Sequence, residues 1–165
     1  MEIEINYLNL LFRWMHILPA IIAVGGSIFM RAALLPAVSG LSDSERPKFH
    51  EAVRSRWSKW VMGAVLFLLV SGFYNFFYNT RTYKLPPVYQ MLFGIKFLLA
   101  LGVFALASIL SGRSSLAQKL RQNPRPWLNL NVTLAVLVVL LSGVMRTMDH
   151  GPKKADTPPA QAAAK

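Results

Sequence analysis

Two ionisable side chains lie inside apolar stretches of this 165-residue chain, and both have the chemistry to form a site. His16 follows Tyr7 by nine residues, and Lys96 follows Pro87 by nine residues. Placing a charged group in hydrocarbon costs roughly 2.5–3.5 kcal/mol on insertion scales, so residues of this kind are functional-site candidates. Histidine can bind a metal or haem iron or carry a proton, and lysine can hold an anionic group.

The elements that must position these two residues are apolar blocks. The chain is 54% hydrophobic, and its apolar residues are concentrated in Leu8–Pro36, Trp57–Asn79, Val88–Ser111 and Trp127–Met148. About 20 apolar residues in a helix cross a bilayer core, and only closed backbone hydrogen bonding is stable in lipid. We therefore predict an all-α membrane protein, a four-transmembrane-helix bundle with spans at about 8–36, 57–79, 88–111 and 127–148, all within one domain over residues 8–148.

The segments outside the spans have distinct compositions. Residues 1–7 form a short N-terminal segment. Leu41–Trp57 places aromatic residues among basic ones, which is typical of a helix lying on a membrane surface, so we predict a short cytoplasmic interfacial helix there. Residues 149–165 are rich in Pro, Ala and Lys and are predicted to be a disordered tail.

The net charge of +11 does not indicate nucleic-acid binding, because the basic residues lie in short loops beside the spans. Ten Lys and Arg residues belong to the first and third loops and their flanks, against six on the opposite side. The side richer in Lys and Arg is generally cytoplasmic. The prediction is an integral membrane protein, most simply of the bacterial inner membrane, with both termini outside.

His16 and Lys96 are predicted to lie at the same depth. Both spans start on the same side, so each residue is roughly 13 Å below that edge at 1.5 Å per residue. All seven acidic residues lie outside the spans. A charged lysine therefore needs an anion that is not a protein carboxylate, and Arg13 and Arg146 add two cations on the same side. A porphyrin carrying propionates meets that need, with His16 as its metal ligand and Lys96, Arg13 and Arg146 near its anionic groups.

Other interpretations of these residues stay open. His16 can be a neutral histidine bonded to a backbone carbonyl, and Lys96 can extend towards the headgroups without a further role. The Met145, Met148 and His150 trio is a copper candidate, because thioether sulfur suits Cu(I). Copper transport without haem is thus one alternative function, and a non-catalytic membrane scaffold subunit is another. The chain has no cysteine, which excludes disulfides and thiolate ligands.

Two stretches resemble a known superfamily. The run RWMHILPAIIAVGGSIF from Arg13 to Phe29, followed by Leu35-Pro36, is similar to the opening helix of CopD-like copper-resistance proteins. The run GIKFLL from Gly94 to Leu99 resembles the lysine-bearing region of the related HemJ-type protoporphyrinogen oxidases. The resemblance covers about residues 8–148 in span order.

The resemblance implies a function. HemJ-type proteins have a histidine on the first span and a lysine on the third, which correspond to His16 and Lys96, and are thought to bind haem b. The expected function is a membrane-embedded haem b redox protein that transfers electrons or oxidises a porphyrinogen, which would make it an oxidoreductase. Its expected partners are the lipid bilayer and either a redox protein or a second copy of the chain.

Overall fold

The structure is a computed structural model that describes residues 6–148 and the backbone of residues 151–152. Within these residues the chain is almost entirely helical. A π-helical segment, Met30–Leu34, connects the first two α-helices. The elements are α1 (Tyr7–Phe29), α2 (Leu35–Val38), α3 (Arg46–Thr82), β1 (Tyr83–Lys84), α4 (Pro87–Ser111), α5 (Ser115–Gln122), α6 (Pro124–Thr147) and β2 (Gly151–Pro152).

Four helical rods in the described part are long and apolar enough to cross a membrane: Tyr7–Val38, Arg46–Thr82, Pro87–Ser111 and Pro124–Thr147. The first rod consists of α1, the π-helical segment and α2 without a break. The predicted all-α fold with four spans is confirmed, and the protein is an integral membrane protein in contact with lipid.

Local sequence signals explain where the rods begin. The Asn6 side chain caps α1 by accepting a hydrogen bond from the Asn9 backbone N–H at 3.0 Å. The other three rods have proline in their first turn, at Pro47, Pro87 and Pro124. Proline suits this position because the first turn has no use for its missing N–H and its fixed φ is already helical.

Each rod packs mainly against two neighbours. Helix α1 contacts α3 and α6, and α4 contacts the same two helices, so the four rods form a closed ring. The short β1 and β2 strands pair antiparallel and connect the ends of α3 and α6. We call this the β-ribbon end, and the opposite end, where α5 lies, the α5 end. The β-ribbon end corresponds to the side predicted to be outside.

The buried side chains include small and polar ones as well as apolar ones such as Leu68, Tyr89 and Met145, while many large apolar side chains face outwards. Ser71 and Asn131 are the largest side chains that are fully buried. By contrast, Leu98 is 69% exposed and Leu66 is 61% exposed. Lipid tails are as apolar as leucine, so helices in a membrane associate through close packing and polar contacts, and their leucines can face the lipid.

The predicted separate interfacial helix is not present. Leu41–Trp57 was expected to form it, but residues from Arg46 onwards are the first turns of the 37-residue helix α3. No glycine or proline lies between Pro47 and Gly63 to interrupt the helix. In addition, the Trp57 ring lies directly against Gly26 of α1, which holds these turns against the bundle. The short separate helix at this end is α5.

Two predictions fall on residues outside the described part. The disordered tail over residues 149–165 lies there except for the strand Gly151–Pro152, and so does His150 of the copper trio. The N-terminal segment is described only from Asn6.

Candidate functional site

His16 points from α1 towards α3. Its Nδ1 atom lies 2.9 Å from the Ser71 hydroxyl. Ser71 is fully buried in the contact between the two helices. A histidine and a serine 55 residues apart are thus joined inside the membrane-spanning region.

The surroundings of Ser71 determine which ring nitrogen of His16 carries the proton. The Ser71 hydroxyl has one proton, and its shortest contact is with the Phe67 carbonyl at 2.5 Å. A hydroxyl that donates to a carbonyl can only accept from the ring, so Nδ1 of His16 is the protonated nitrogen. The lone pair of the neutral ring is then on Nε2. Histidines that bind metals are held in the same way, by donating the other N–H to a neighbouring acceptor.

A glycine makes room for the imidazole. A Cβ atom at position 72 would lie 3.4 Å from Cε1 of His16 and 3.8 Å from its Nδ1. The ring therefore rests with its Nδ1–Cε1 edge directly against α3. Ser71 and Gly72 together fix the ring, one by a hydrogen bond and the other by contact with its backbone.

Lys96 approaches the same site from α4. It is half-buried, and its ammonium is near enough to the His16 ring to act on it electrostatically. In residues 6–148 no hydrogen bond or ion pair is formed by Lys96. The carboxylates in that range are Asp43, Glu45 and Glu51, which belong to the α2–α3 loop and the start of α3. The predicted pairing of His16 with Lys96 inside the bundle is consistent with this placement.

Aromatic rings that neighbour Lys96 in the sequence of α4 pair with rings of α3. Phe76 stacks on Phe93 with ring centroids 3.9 Å apart, and Phe73 lies 5.4 Å from Phe97. On the α1 side, Phe12 stacks on Tyr74 at 3.8 Å. These ring pairs add apolar packing to the α3–α4 and α1–α3 contacts.

The other two predicted cations are not assembled with this pair. Arg13 and Arg146 are both exposed on the outside of the bundle. Arg13 is three residues from His16 on α1, and Arg146 belongs to the last turn of α6. Their predicted role near an anionic ligand is untested, and the structure gives the interior position to Lys96 alone among the predicted cations.

The copper candidate has mixed surroundings. Met145 is buried at 5% exposure, whereas Met148 lines a surface recess together with Lys84, Leu85 and Val88. Across the described residues, no group of three or more His, Asp or Glu side chains is arranged to hold a metal ion.

A second buried polar contact joins α1 to α6. Asn131 donates from Nδ2 to the Ser27 hydroxyl at 3.2 Å, and Ser27 donates to the Ala23 carbonyl at 2.7 Å. The Asn131 Oδ1 atom is buried and has no hydrogen-bond partner. The two residues are 104 residues apart on different helices, and the periodicity of each helix alone could not show that they meet.

No protein-family model, no curated protein and no solved structure matches the chain. The CopD-like and HemJ-type resemblance therefore rests on the two sequence motifs around His16 and Lys96.

The donors at the site fit a haem held by one histidine. Nδ1 of His16 is occupied by Ser71, and Nε2 is the ring nitrogen that would hold a haem iron. Lys96 provides a cation without a protein anion in the described residues. The other described histidine, His50, lies in the first turns of α3 at the α5 end, so it does not provide a second axial ligand.

Proposed function

We propose that the protein is a membrane-embedded haem b-binding redox protein of the CopD/HemJ-like type. The observation that carries the proposal is the hydrogen bond between His16 Nδ1 and Ser71, which orients the ring and leaves Nε2 available. His16 is the residue that would hold the iron, and Lys96 the residue that would hold an anionic group of the porphyrin. When bound, haem would supply one-electron redox chemistry, used for electron transfer or porphyrinogen oxidation.

The residues of this chain have separate tasks in that proposal. Ser71 fixes the tautomer and the plane of the imidazole. Lys96 compensates negative charge that the apolar interior would otherwise exclude. The paired aromatic rings of α3 and α4 add apolar surface to the contact between these helices. In an apolar region the interaction between Lys96 and an anion would be stronger than it is in water.

An absorption spectrum of the purified protein tests the proposal. Wild-type protein expressed with ample haem should show a Soret band that shifts on reduction, and His16→Ala should abolish it. His50→Ala is the matched control and should keep the pigment, because His50 lies at the opposite end of the bundle. Wild-type protein without pigment, behaving like His16→Ala, would contradict haem binding and favour the scaffold or copper-transport alternatives.

Lys96 variants distinguish two roles for the lysine. If Lys96 pairs with a propionate, Lys96→Ala should weaken haem retention and Lys96→Arg should restore it, because guanidinium also pairs with carboxylates. If Lys96 is a second axial ligand, both variants should convert a six-coordinate spectrum into a five-coordinate one. If Lys96→Ala leaves both the absorption spectrum and haem retention unchanged, Lys96 is not part of the site.

We also propose that the protein acts with a redox partner or a second copy of the chain. We further propose that it lies in a bacterial inner membrane with both termini on the non-cytoplasmic side and the α5 end in the cytoplasm. The basic residues concentrated near the α5 end support this orientation. A reporter fused after Lys153 should be active outside the cytoplasm. A cytoplasmic signal from that fusion would reverse the orientation and place His16 nearer the inner side.

A further inference from the structure

Three arginines meet at the α5 end, where α3, α4 and α5 come together. Arg54 of α3 donates to the Gly112 carbonyl at 3.0 Å. Arg121 of α5 donates to the same carbonyl at 2.6 Å and to the Leu110 carbonyl at 3.3 Å. Arg113 immediately follows Gly112. We call Arg54, Arg113 and Arg121 the arginine cluster.

One carboxylate faces these three cations. Glu51 accepts hydrogen bonds from Arg54, one of them from Nε at 3.0 Å, and it also interacts electrostatically with Arg113 and Arg121. The hydrogen bond from Arg54 holds the pKa of Glu51 below its ordinary value, and the two further guanidinium groups act in the same direction. With three positive groups and one negative group, the cluster retains a net charge of two positive units.

Some guanidinium N–H groups of the arginine cluster have no hydrogen-bond partner in residues 6–148. Arg54 directs its Nε and both Nη atoms to Glu51 and Gly112. For Arg121, by contrast, Nη1 alone is engaged, and Arg113 is exposed and makes no hydrogen bond or ion pair in residues 6–148. Guanidinium has five N–H donors arranged in a fork that matches the oxygens of a phosphate. Two arginines fixed by the backbone and one free arginine thus leave unused donors beside an excess of positive charge.

The cluster lies at the edge of the membrane-spanning region. Arg54 is three residues before Trp57, and Gly112 directly follows the last residue of α4. Trp60 is exposed on α3, one turn further along. Tryptophan is enriched at the boundary between lipid and water, so the unused donors lie at the depth of lipid headgroups.

We propose that the arginine cluster binds a phosphate group at the membrane surface, and that its source is the headgroup of an anionic phospholipid. The arginines hold the carboxyl-terminal carbonyls of α4 and would hold the phosphate with the donors that remain. This site is separate from the His16 region and does not depend on haem binding.

The test compares lipids and variants. Full-length protein is reconstituted in nanodiscs containing phosphatidylcholine with or without phosphatidylglycerol, and the lipids it retains are counted by native mass spectrometry. Wild-type protein should retain phosphatidylglycerol preferentially. Arg113→Gln should lower that retention about fivefold, which is the usual effect of one basic residue near an anionic surface. Because Arg113 is exposed and makes no hydrogen bond, this variant should fold normally.

Arg125→Gln is the matched control, since Arg125 is an exposed arginine at the start of α6 near the same end. It should leave retention unchanged. Equal retention of both lipids, or an equal loss in Arg113→Gln and Arg125→Gln, would overturn the proposal.

A further arm identifies the source of the phosphate. Inorganic phosphate is added to nanodiscs of phosphatidylcholine alone, and the thermal stability of the wild type is compared with that of Arg113→Gln. If millimolar phosphate does not stabilise the wild type, this result supports the lipid headgroup as the source. Stabilisation of the wild type alone, without preference for phosphatidylglycerol, overturns the lipid source and assigns the same donors to a soluble phosphate.

Discussion

Lys96 and Arg54 are two cations in contact with the packed bundle, and they differ in what surrounds them. Arg54, whose side chain is 17% exposed, has a carboxylate from Glu51 and a carbonyl from Gly112. Lys96 is half-buried and has neither kind of partner in the described residues. A cation that serves only the fold is usually given its counter-charge by the protein. The contrast indicates that Arg54 stabilises helix packing, whereas Lys96 is available to bind an anionic group that is not part of the chain.

The largest expected effect is an opposite change in stability at these two positions. In ligand-free protein, Lys96→Met should raise the free energy of unfolding by up to about 3 kcal/mol, because it removes an unpaired charge from the membrane interior. Arg54→Met should lower it by about 1–3 kcal/mol, because Glu51 and Gly112 lose their donor. Unfolding in mixed micelles followed by circular dichroism measures both. A loss of stability in Lys96→Met would show that Lys96 has a structural partner.

Ser71→Ala should have the next largest effect. The variant leaves the buried Nδ1–H of His16 without its acceptor, which should cost about 1–3 kcal/mol and lower haem retention. Ser142→Ala is the control, because the Ser142 hydroxyl donates to the Val138 carbonyl of its own helix. Its cost should be below about 0.5 kcal/mol. Equal losses in the two variants would mean that Ser71 does not orient His16.

Asn131→Leu should change stability less than Ser71→Ala does. The substitution removes one hydrogen bond to Ser27 but also removes a buried acceptor that has no partner, so the two effects should balance to within about 1 kcal/mol. The same unfolding experiment measures it. A loss above about 2 kcal/mol would show that Oδ1 is satisfied in the membrane, for example by a bound water.

The smallest expected effect concerns pH at the α5 end. Because the pKa of Glu51 is held below its ordinary value by the hydrogen bond from Arg54, the stabilisation it provides is complete at neutral pH. It is lost as the pH falls below about 4.5 and passes through the lowered pKa. Glu51→Gln should remove this part of the acid sensitivity. An identical pH profile for wild type and variant would mean that the Glu51–Arg54 contact contributes nothing to stability.

The sequence was sufficient for the fold because spans are specified by a strong local signal. Continuous apolar runs predicted each rod to within a few residues, except at the start of α3. At the start of α3 the composition of Leu41–Trp57 predicted a separate surface helix. Pro47 instead marks the first turn of one continuous helix. Each of these inferences depends on one helix at a time.

The candidate site was less predictable because it depends on how helices are rotated against each other. The number of residues from the start of each helix predicted that His16 and Lys96 lie at the same depth. The periodicity of a single helix could not predict that the Ser71 hydroxyl would accept a hydrogen bond from Nδ1 of His16. Arg13 was predicted to lie near the anionic groups of a ligand held by His16, and the structure has it exposed. Three residues along a helix correspond to a rotation of about 60° away from the starting direction, which is enough to move a long side chain out of a narrow interior. The arginine cluster was missed because its members come from α3, a loop and α5.

The closed ring of helices has a consequence for how the protein is synthesised. The ring consists of two helical hairpins, α1 with α3 and α4 with α6, joined by the short connection after β1. His16 and Ser71 both belong to the hairpin that leaves the ribosome first, while Lys96 arrives with the second. The imidazole of His16 can thus be oriented by Ser71 before Lys96 has been synthesised. If the two hairpins are expressed as separate polypeptides, each should insert into the membrane and the two should then associate.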